Sequence, residues 1–263
     1  MTYCIGLIGF GGVNQDVLLS LRPWIAEHQA KVVVLRKQVS HLEGITMCTQ
    51  LDEFLSHQPN LIIEAAGQEA LAHYLLPCLE TGATMVVSSV GAFTNVELLE
   101  QAQELCRQKG NRMIVPSGAV GGLDYIQSLC SAPDMSLIYE SLRPIKAWRD
   151  ELEKVGVNPD TLRQPYTVFE GNAAEAARRY PKNLNVAATL ALAGPGLDKT
   201  LVRVIVDPAL DRNTHRIIAD SQFGEMTMEI RNFPSLTQPK SSWIVAQSLA
   251  SVVRREFEVV QIR

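Results

Sequence analysis

The chain has 263 residues, of which 46% are hydrophobic and 20% are charged. This length and composition are typical of a globular protein with a sizeable core in one or two domains. The net charge is −4, the isoelectric point is about 5.8, and the chain has no basic run. These charges argue against nucleic acid or an anionic membrane as a partner.

The sequence shows neither a secretory signal nor a membrane-spanning helix. Its most apolar helical stretch, residues 186–193, is far shorter than the roughly 20 residues that span a bilayer. The five cysteines are scattered and form no C-x-x-C pair, which argues against a disulfide framework or a metal site. We therefore expect a cytoplasmic protein with no bound metal.

The N-terminal segment carries the most informative pattern. An apolar run, residues 5–8, leads into a glycine-rich turn and then into a helical pattern over residues 15–21. This order presents backbone N–H groups and the positive end of a helix dipole to a pyrophosphate. Gly9 permits the turn and Gly11 a close approach to the ligand, whereas Asn14 replaces the usual third glycine, which bears on helix–strand packing. The predicted cofactor-binding residues of this loop are Gly9, Phe10, Gly11, Gly12 and Val13.

Strand and helix patterns alternate through the rest of the first half. The predicted strands cover residues 31–35, 60–66, 83–88 and 111–116, and the predicted helices cover residues 68–80 and 95–108. Strands that are almost wholly apolar and separated by helices indicate a parallel sheet covered on both faces. We therefore predict a Rossmann-type, doubly wound parallel sheet over residues 1–120. Its ligand crevice should lie beyond the carboxyl ends of the strands, where we place Ala66 as a cofactor contact.

The pattern changes after about residue 120. Helices are predicted over residues 125–131, 172–180 and 185–193, and a half-buried strand over residues 136–142. Three alternating runs predict an antiparallel meander with one covered face, and they are residues 201–206, 214–219 and 225–231. Together these elements predict a second α/β domain, residues 121–239, built on a mainly antiparallel sheet. A helix over residues 241–257 is expected to return to the first domain, so that residues 240–263 complete it.

Cofactor preference is expected to depend on the end of the second strand. NAD enzymes usually carry an acidic residue there, about 20 residues after the glycine loop. This chain has Arg36 instead. Two interpretations have equal weight: Arg36 faces the 2′-phosphate of NADP, or it is a solvated residue after a strand. Both NAD and NADP therefore stay open as the cofactor.

Of the five histidines, only His215 has a suggestive setting. It opens a predicted strand of the second domain, directly after the turn at residues 211–213. A neutral histidine can accept a proton near pH 7, as oxidation of an amine to an imine and addition of water require. Position alone leaves two interpretations, a proton acceptor facing a nicotinamide and an ordinary strand histidine.

Eight segments run in a familiar order over nearly the whole chain. They are residues 6–12, 64–67, 89–92, 116–124, 180–188, 213–217, 223–224 and 232–241. The most specific are the run Pro-Ser-Gly-Ala-Val-Gly-Gly that starts at Pro116 and the run Asn-Thr-His that ends at His215. Taken together, the segments resemble the L-aspartate dehydrogenase family.

The resemblance implies a Rossmann domain, a second domain that forms a homodimer through its sheet, and NAD(P)-dependent oxidation of L-aspartate to oxaloacetate and ammonia. By position, it implies that His215 is the active-site histidine and that Ala119 and Asn185 contact NAD(P). Asn185 is also a candidate for substrate binding. Lys240 is a candidate partner for a substrate carboxylate, or else a lysine at a helix start. The intermediate, iminoaspartate, is a precursor of quinolinate, which links the family to NAD biosynthesis.

Two further departures from the family pattern bear on the substrate. Gln238 stands where asparagine is usual, and Arg143 stands where lysine is common. They keep open a dehydrogenase or imine reductase for another small amino acid. Two alternatives belong to other classes, a non-catalytic dinucleotide-binding sensor and a structural homodimer with a vestigial site. The intact block at His215 argues against the sensor, because a sensor has no need of a proton carrier.

Overall fold

The computed structural model describes residues 2–38, 41–180, 185–235 and 241–260. The chain divides into two units, one formed by Met1–Gly118 together with Val245–Arg263 and the other by Ala119–Ile244. Within the described ranges, no helix is both long enough and apolar enough to cross a membrane.

The first unit is built on a six-stranded parallel sheet. Its strands are β1 (Cys4–Ile8), β2 (Lys31–Leu35), β3 (Ile45–Cys48), β4 (Leu61–Glu64), β5 (Thr84–Val87) and β6 (Met113–Ile114). Its helices are α1 (Gly12–His28), α2 (Leu51–Ser56), α3 (Gln68–Glu80), a 3-10 helix (Val90–Thr94) and α4 (Val96–Lys109). The strand order β3-β2-β1-β4-β5-β6 confirms the predicted doubly wound sheet. The order reverses between β1 and β4, which is where such sheets bind ligands.

The core of the first unit explains its sequence pattern. Every residue of β1 and of β4 is buried, as expected for central strands covered on both faces. A Cβ at Gly6 in β1 would lie 2.6 Å from the ring of Phe54 in α2, so only glycine fits there without rearrangement. Helix α9 (Trp243–Arg255) contributes buried residues such as Leu249 and Val253 to the same apolar cluster as Leu7.

Two elements at one edge of this sheet, β3 and α2, were not predicted. Only Cys48 is buried among the four residues of β3, so the strand lacks the apolar run that marks its neighbours. Helix α2 has six residues and buries only Phe54, which is too short for a helical periodicity to be recognised. Strand β6 is correct in place but has only two residues, Met113 and Ile114.

The second unit is built on a five-stranded mixed sheet. Its strands are β7 (Ser136–Arg143), β8 (Tyr166–Asn172), β9 (Thr200–Val206), β10 (Thr214–Ser221) and β11 (Gly224–Arg231). Its helices are α5 (Leu123–Leu129), α6 (Ile145–Lys154), α7 (Ala173–Arg179) and α8 (Asn185–Ala193). Three of the four strand pairs are antiparallel, as predicted, and β7 and β9 are parallel. Strand β8 and helix α6 were not predicted.

The predicted meander of β9, β10 and β11 is wrong. The strand order is β11-β10-β7-β9-β8, so β7 lies between β9 and β10. Only the hairpin of β10 and β11 survives from the prediction. Alternating apolar residues show which face of a strand is covered but not which strand lies beside it, so the pattern does not reveal that β7 separates β9 from β10.

Candidate active site

The glycine loop of the first unit has the geometry that a close backbone approach requires. Gly9 has φ +82°, and a Cβ there would lie 2.7 Å from the Cβ of Ala66, so two predicted contact residues meet at the rim of the sheet. Gly11 is the N-cap of α1, and a Cβ there would meet nothing within 4 Å. Gly12 opens α1 and Val13 follows it half-buried. The space in front of the first turn of α1 is therefore open to a ligand.

Asn14 stabilises this loop in a way that glycine cannot. Its side chain is fully buried, and its amide nitrogen donates hydrogen bonds to the carbonyl oxygens of Ile8, at 3.0 Å, and Gly9, at 2.8 Å. The side chain thus joins the first turn of α1 to the end of β1. Helix and strand remain closely packed although the usual third glycine is replaced.

Arg36 lies beside the glycine loop. Its guanidinium carbon is 5.8 Å from the centre of the Phe10 ring, within the range of a cation–π contact. Its backbone nitrogen donates to the carbonyl of Cys48 at 3.0 Å, which fixes the chain directly after β2. The arginine is half-buried. The structure therefore brings together two of the predicted cofactor contacts, Phe10 and Arg36.

Glu64, at the end of β4, holds the neighbouring loop. The buried carboxylate accepts hydrogen bonds from the backbone nitrogens of Ala66 (2.7 Å), Gly67 (3.0 Å) and Ser89 (3.1 Å) and from the Ser89 hydroxyl (2.8 Å). Burial raises the pKa of Glu64, and these four hydrogen bonds act in the opposite direction. This role of Glu64 was not predicted, although a lone acid that ends an apolar strand was a usable signal.

In the second unit, His215 is buried in β10 with 2% of its surface exposed. Its Nδ1 lies 2.8 Å from the hydroxyl oxygen of Tyr139, while its Nε2 has no hydrogen-bond partner among the described residues. Burial lowers the pKa of His215 to about 3, and the positive charge of Arg143 acts in the same direction. The ring is therefore neutral at physiological pH.

Three residues of β7 share the sheet face of His215. Ser141 pairs directly with His215 in the ladder between β7 and β10, and Tyr139 and Arg143 lie two residues to either side of Ser141. The Nε of Arg143 donates to the Ser141 hydroxyl at 2.8 Å. Burial raises the pKa of Tyr139, and the charge of Arg143 partly offsets this rise. The site thus places a buried cation next to a neutral histidine.

Three predicted contacts remain, Ala119, Asn185 and Lys240, and the structure describes the first two. Ala119 is buried, and its carbonyl accepts a hydrogen bond from the Asn232 side chain at 2.8 Å. The backbone nitrogen of Asn232 donates to Asn213 at 3.2 Å, which ties Ala119 to the start of β10. Asn185 is the first residue of α8 and is half-buried. Lys240 lies outside the described residues.

Tyr139 and Ser141 were missed as site residues. Their strand was predicted, and Arg143 stood out only as a departure from the family pattern. The usable signal was a row of polar residues at every second position, 139, 141 and 143, on the side of the strand that begins with the buried Leu137. Such a row in a buried strand indicates a polar site rather than a core face.

Models of two protein families match the chain. The model described as "Aspartate dehydrogenase, C-terminal" matches residues 124–256, and the model described as "Homoserine dehydrogenase, NAD binding domain" matches residues 9–116. The first match spans most of the unit that holds His215, and the second contains the glycine loop, Arg36 and Glu64.

Full-length relatives were found as well. The chain is 42% identical over 260 residues to L-aspartate dehydrogenase 2 of Bordetella bronchiseptica, with 97% of each chain covered. It is 36% identical to L-aspartate dehydrogenase of Archaeoglobus fulgidus, with 95% of this chain and 96% of the relative covered. The crystal structure of aspartate dehydrogenase from Thermotoga maritima has a TM-score of 0.80 at 23% identity over the whole of both chains, a likeness of fold.

Proposed function

The chain belongs to the aspartate dehydrogenase family, and we propose that it catalyses the NAD(P)-dependent oxidative deamination of L-aspartate. In this reaction L-aspartate, NAD(P)⁺ and water give oxaloacetate, ammonium, NAD(P)H and one proton. The observation that carries the assignment is the 42% identity with an L-aspartate dehydrogenase over 97% of both chains. Iminoaspartate that leaves the enzyme before water adds to it would be available for NAD biosynthesis, and this is the pathway role we propose.

The first unit holds the cofactor in this proposal. The close approach at Gly9 and the open space at Gly11 fit a pyrophosphate at the start of α1: a Cβ at Gly9 would collide with Ala66, and a Cβ at Gly11 would occupy the space assigned to the ligand. When bound, the nicotinamide supplies the acceptor for the hydride of the substrate Cα. Ala66 and Phe10 line the same loop, and the backbone of Ala119 and the side chain of Asn185 are assigned to the nicotinamide end.

Arg36 gives the preference between NAD and NADP a structural test. A guanidinium at the end of β2 can pair with the 2′-phosphate of NADP. The ratio of kcat/KM for NADP to that for NAD should fall in Arg36→Ala if Arg36 contacts this phosphate. An unchanged ratio would show that Arg36 only packs on Phe10.

In the second unit, we assign one substrate carboxylate to the guanidinium of Arg143. A planar guanidinium binds a carboxylate with two parallel hydrogen bonds, and its burial next to His215 brings the anion to the candidate catalytic residue. The carboxylate also offsets the positive charge that holds the pKa of His215 down. Arg143→Met should raise the KM for aspartate about 100-fold, equivalent to about 3 kcal/mol, whereas the matched control Arg143→Lys, which keeps the charge but not the two parallel hydrogen bonds, should raise it less.

We further propose that the protein is a homodimer and that a second copy covers the outer face of the second sheet. On that face Glu170, Arg203, Glu140, Arg216 and Glu229 form a row of ion pairs, one residue from each strand and alternating in charge. Half-exposed aliphatic residues flank the row, and they are Ile138, Leu201, Ile205 and Ile218. A face that carries both charges and apolar surface can match a second copy of itself. Light scattering should give twice the chain mass of 29.0 kDa, and Ile218→Asp should give monomers. A monomeric wild type refutes the dimer.

The test of the reaction is the initial rate of NADH or NADPH oxidation with oxaloacetate and ammonium, compared with a panel of other 2-oxo acids. A strong preference for oxaloacetate supports the proposal. Turnover of a different oxo acid would assign the protein to another small amino acid. No turnover with cofactor still bound would favour the non-catalytic sensor.

His215→Ala tests the role of the histidine in the same assay. We expect the variant to keep its affinity for cofactor, since the pyrophosphate loop lies in the first unit and is untouched, and to lose most of its turnover. Activity that survives within a few-fold of the wild type would refute the catalytic assignment.

A further inference from the structure

A continuous set of buried polar groups leads to His215. Tyr139, Ser141 and His215 each have 2% or less of their surface exposed, and Arg143 has 7%. The Nε of Arg143 lies 2.8 Å from the Ser141 hydroxyl, and the Tyr139 hydroxyl lies 2.8 Å from Nδ1 of His215. Ser141 and Arg143 both act to lower the pKa of the Tyr139 hydroxyl, so both groups lie close to that oxygen and connect the two ends. The four side chains therefore form one network on one face of β7 and β10.

The direction of these hydrogen bonds follows from the chemistry of the groups. A guanidinium has only donors, so the Ser141 oxygen accepts from Arg143 and keeps its own proton to donate. Towards Arg143 the Tyr139 oxygen can only accept, because a guanidinium has no acceptor, and the Ser141 hydroxyl, which accepts from Arg143, can donate to the same oxygen. The single proton of the Tyr139 hydroxyl is then left for Nδ1 of His215.

A histidine whose Nδ1 accepts a hydrogen bond carries its proton on Nε2 when the ring is neutral. In this structure Nε2 is the atom that is buried without a hydrogen-bond partner among the described residues. A buried N–H without a partner costs about 1–3 kcal/mol, so Nε2 is suited to a ligand oxygen rather than to apolar surroundings.

We propose that Arg143, Ser141 and Tyr139 fix His215 as the Nε2–H tautomer, and that the histidine acts on the substrate as a hydrogen-bond donor rather than as a base. The second part rests on the proposed function. The oxygen that receives this bond is the hydroxyl formed when water adds to iminoaspartate and, in the reverse direction, the carbonyl oxygen of oxaloacetate. Tyr139 and Ser141 are then positioning residues. His215 moves no proton in this role, which differs from the proton acceptor expected from the sequence.

The tautomer is measured by ¹⁵N NMR of protein labelled at histidine, with His215→Gln used to assign the signals. The measurement needs no substrate, so it stands apart from whether aspartate is the substrate. The proposal expects a pyrrole-like signal at Nε2 and a pyridine-like signal at Nδ1 of His215. The opposite pattern, with the proton on Nδ1, overturns it.

Tyr139→Phe keeps the ring but removes the donor to Nδ1. We expect the two tautomers to mix, kcat to fall at least about tenfold, which corresponds to one lost hydrogen bond of about 1.4 kcal/mol, and cofactor affinity to remain. The matched control is Tyr125→Phe, which removes an exposed hydroxyl in the same unit and should change neither tautomer nor kcat.

Ser141→Ala keeps Tyr139 but removes the hydroxyl that accepts from Arg143. The fraction of His215 in the Nε2–H tautomer should fall in this variant as well. An unchanged pure tautomer in both folded variants, Tyr139→Phe and Ser141→Ala, would show that the network does not set the proton position and would overturn the proposal. Thermal unfolding of each variant verifies that it is folded.

Discussion

Replacing Asn14 by glycine restores the third glycine of the dinucleotide-binding pattern, and we nevertheless expect the change to destabilise the first unit. The Asn14 amide donates two hydrogen bonds to the carbonyl oxygens of Ile8 and Gly9. Ile8 keeps a second partner, the backbone nitrogen of Ala65 at 3.2 Å, whereas the bond to Gly9 directly holds the turn.

The magnitude follows from three contributions. Two hydrogen bonds contribute about 1 kcal/mol each. The cavity left by the buried side chain costs about 1 kcal/mol, and this is offset by removing the Asn14 Oδ1, which is buried without a hydrogen-bond partner among the described residues. Glycine in place of alanine within a helix adds up to about 1 kcal/mol. Asn14→Ala should therefore lower the free energy of unfolding by about 2 kcal/mol, and Asn14→Gly by about 3 kcal/mol.

Urea unfolding followed by the fluorescence of Trp24, a residue in the core of the first unit, measures these changes. Titration with NADPH shows whether the loop still binds cofactor, and we expect a weaker Kd in both variants. The comparison of alanine with glycine separates the lost hydrogen bonds from the flexibility of glycine. A glycine variant as stable as the wild type would refute the bracing role of Asn14.

Three other substitutions test separate parts of the structure. Gly9→Ala places a Cβ 2.7 Å from that of Ala66 at φ +82°, so NADPH affinity should fall at least about tenfold in a fluorescence titration, and unchanged affinity would contradict the close approach. Glu64→Gln leaves one backbone N–H facing an amide donor and should cost about 2 kcal/mol in urea unfolding, while equal stability would refute its bracing of the loop. The folded pKa of His215, about 3, lies below its ordinary 6.5, so its contribution to stability is present above pH 6.5 and is lost as pH falls towards 3. From pH 7 to pH 5 the wild type should lose about 2 kcal/mol more than His215→Gln, and equal slopes would contradict burial of the neutral ring.

The parallel sheet could be predicted from the sequence because its central strands carry strong local signals. Strands β1 and β4 are fully buried and almost wholly apolar, with Glu64 as the exception, and a glycine follows each of them within three residues. The second sheet could not be predicted to the same depth. The position of β7 between β9 and β10 depends on pairing between residues far apart in the chain, which the alternation of apolar residues does not encode.

The candidate site shows the same division. His215 was identified from a short motif, and Arg36 from its distance to the glycine loop. The positioning roles proposed for Tyr139 and Ser141 depend on their register with His215, and this register exists only once β7 pairs with β10. The way in which Asn14 compensates for the missing third glycine could not be predicted either, because a glycine-based pattern does not show that a buried amide can join β1 to α1.

Transfer of deuterium from L-aspartate labelled at Cα tests the central claim most directly. The purified protein is incubated with this substrate and with NAD⁺ or NADP⁺, and the products are analysed by mass spectrometry. The proposed reaction predicts one deuterium on the reduced nicotinamide for each oxaloacetate formed, together with a slower rate than with unlabelled aspartate. Oxaloacetate formed without deuterium on the nicotinamide, or no oxaloacetate from aspartate with either cofactor, would contradict the proposed function.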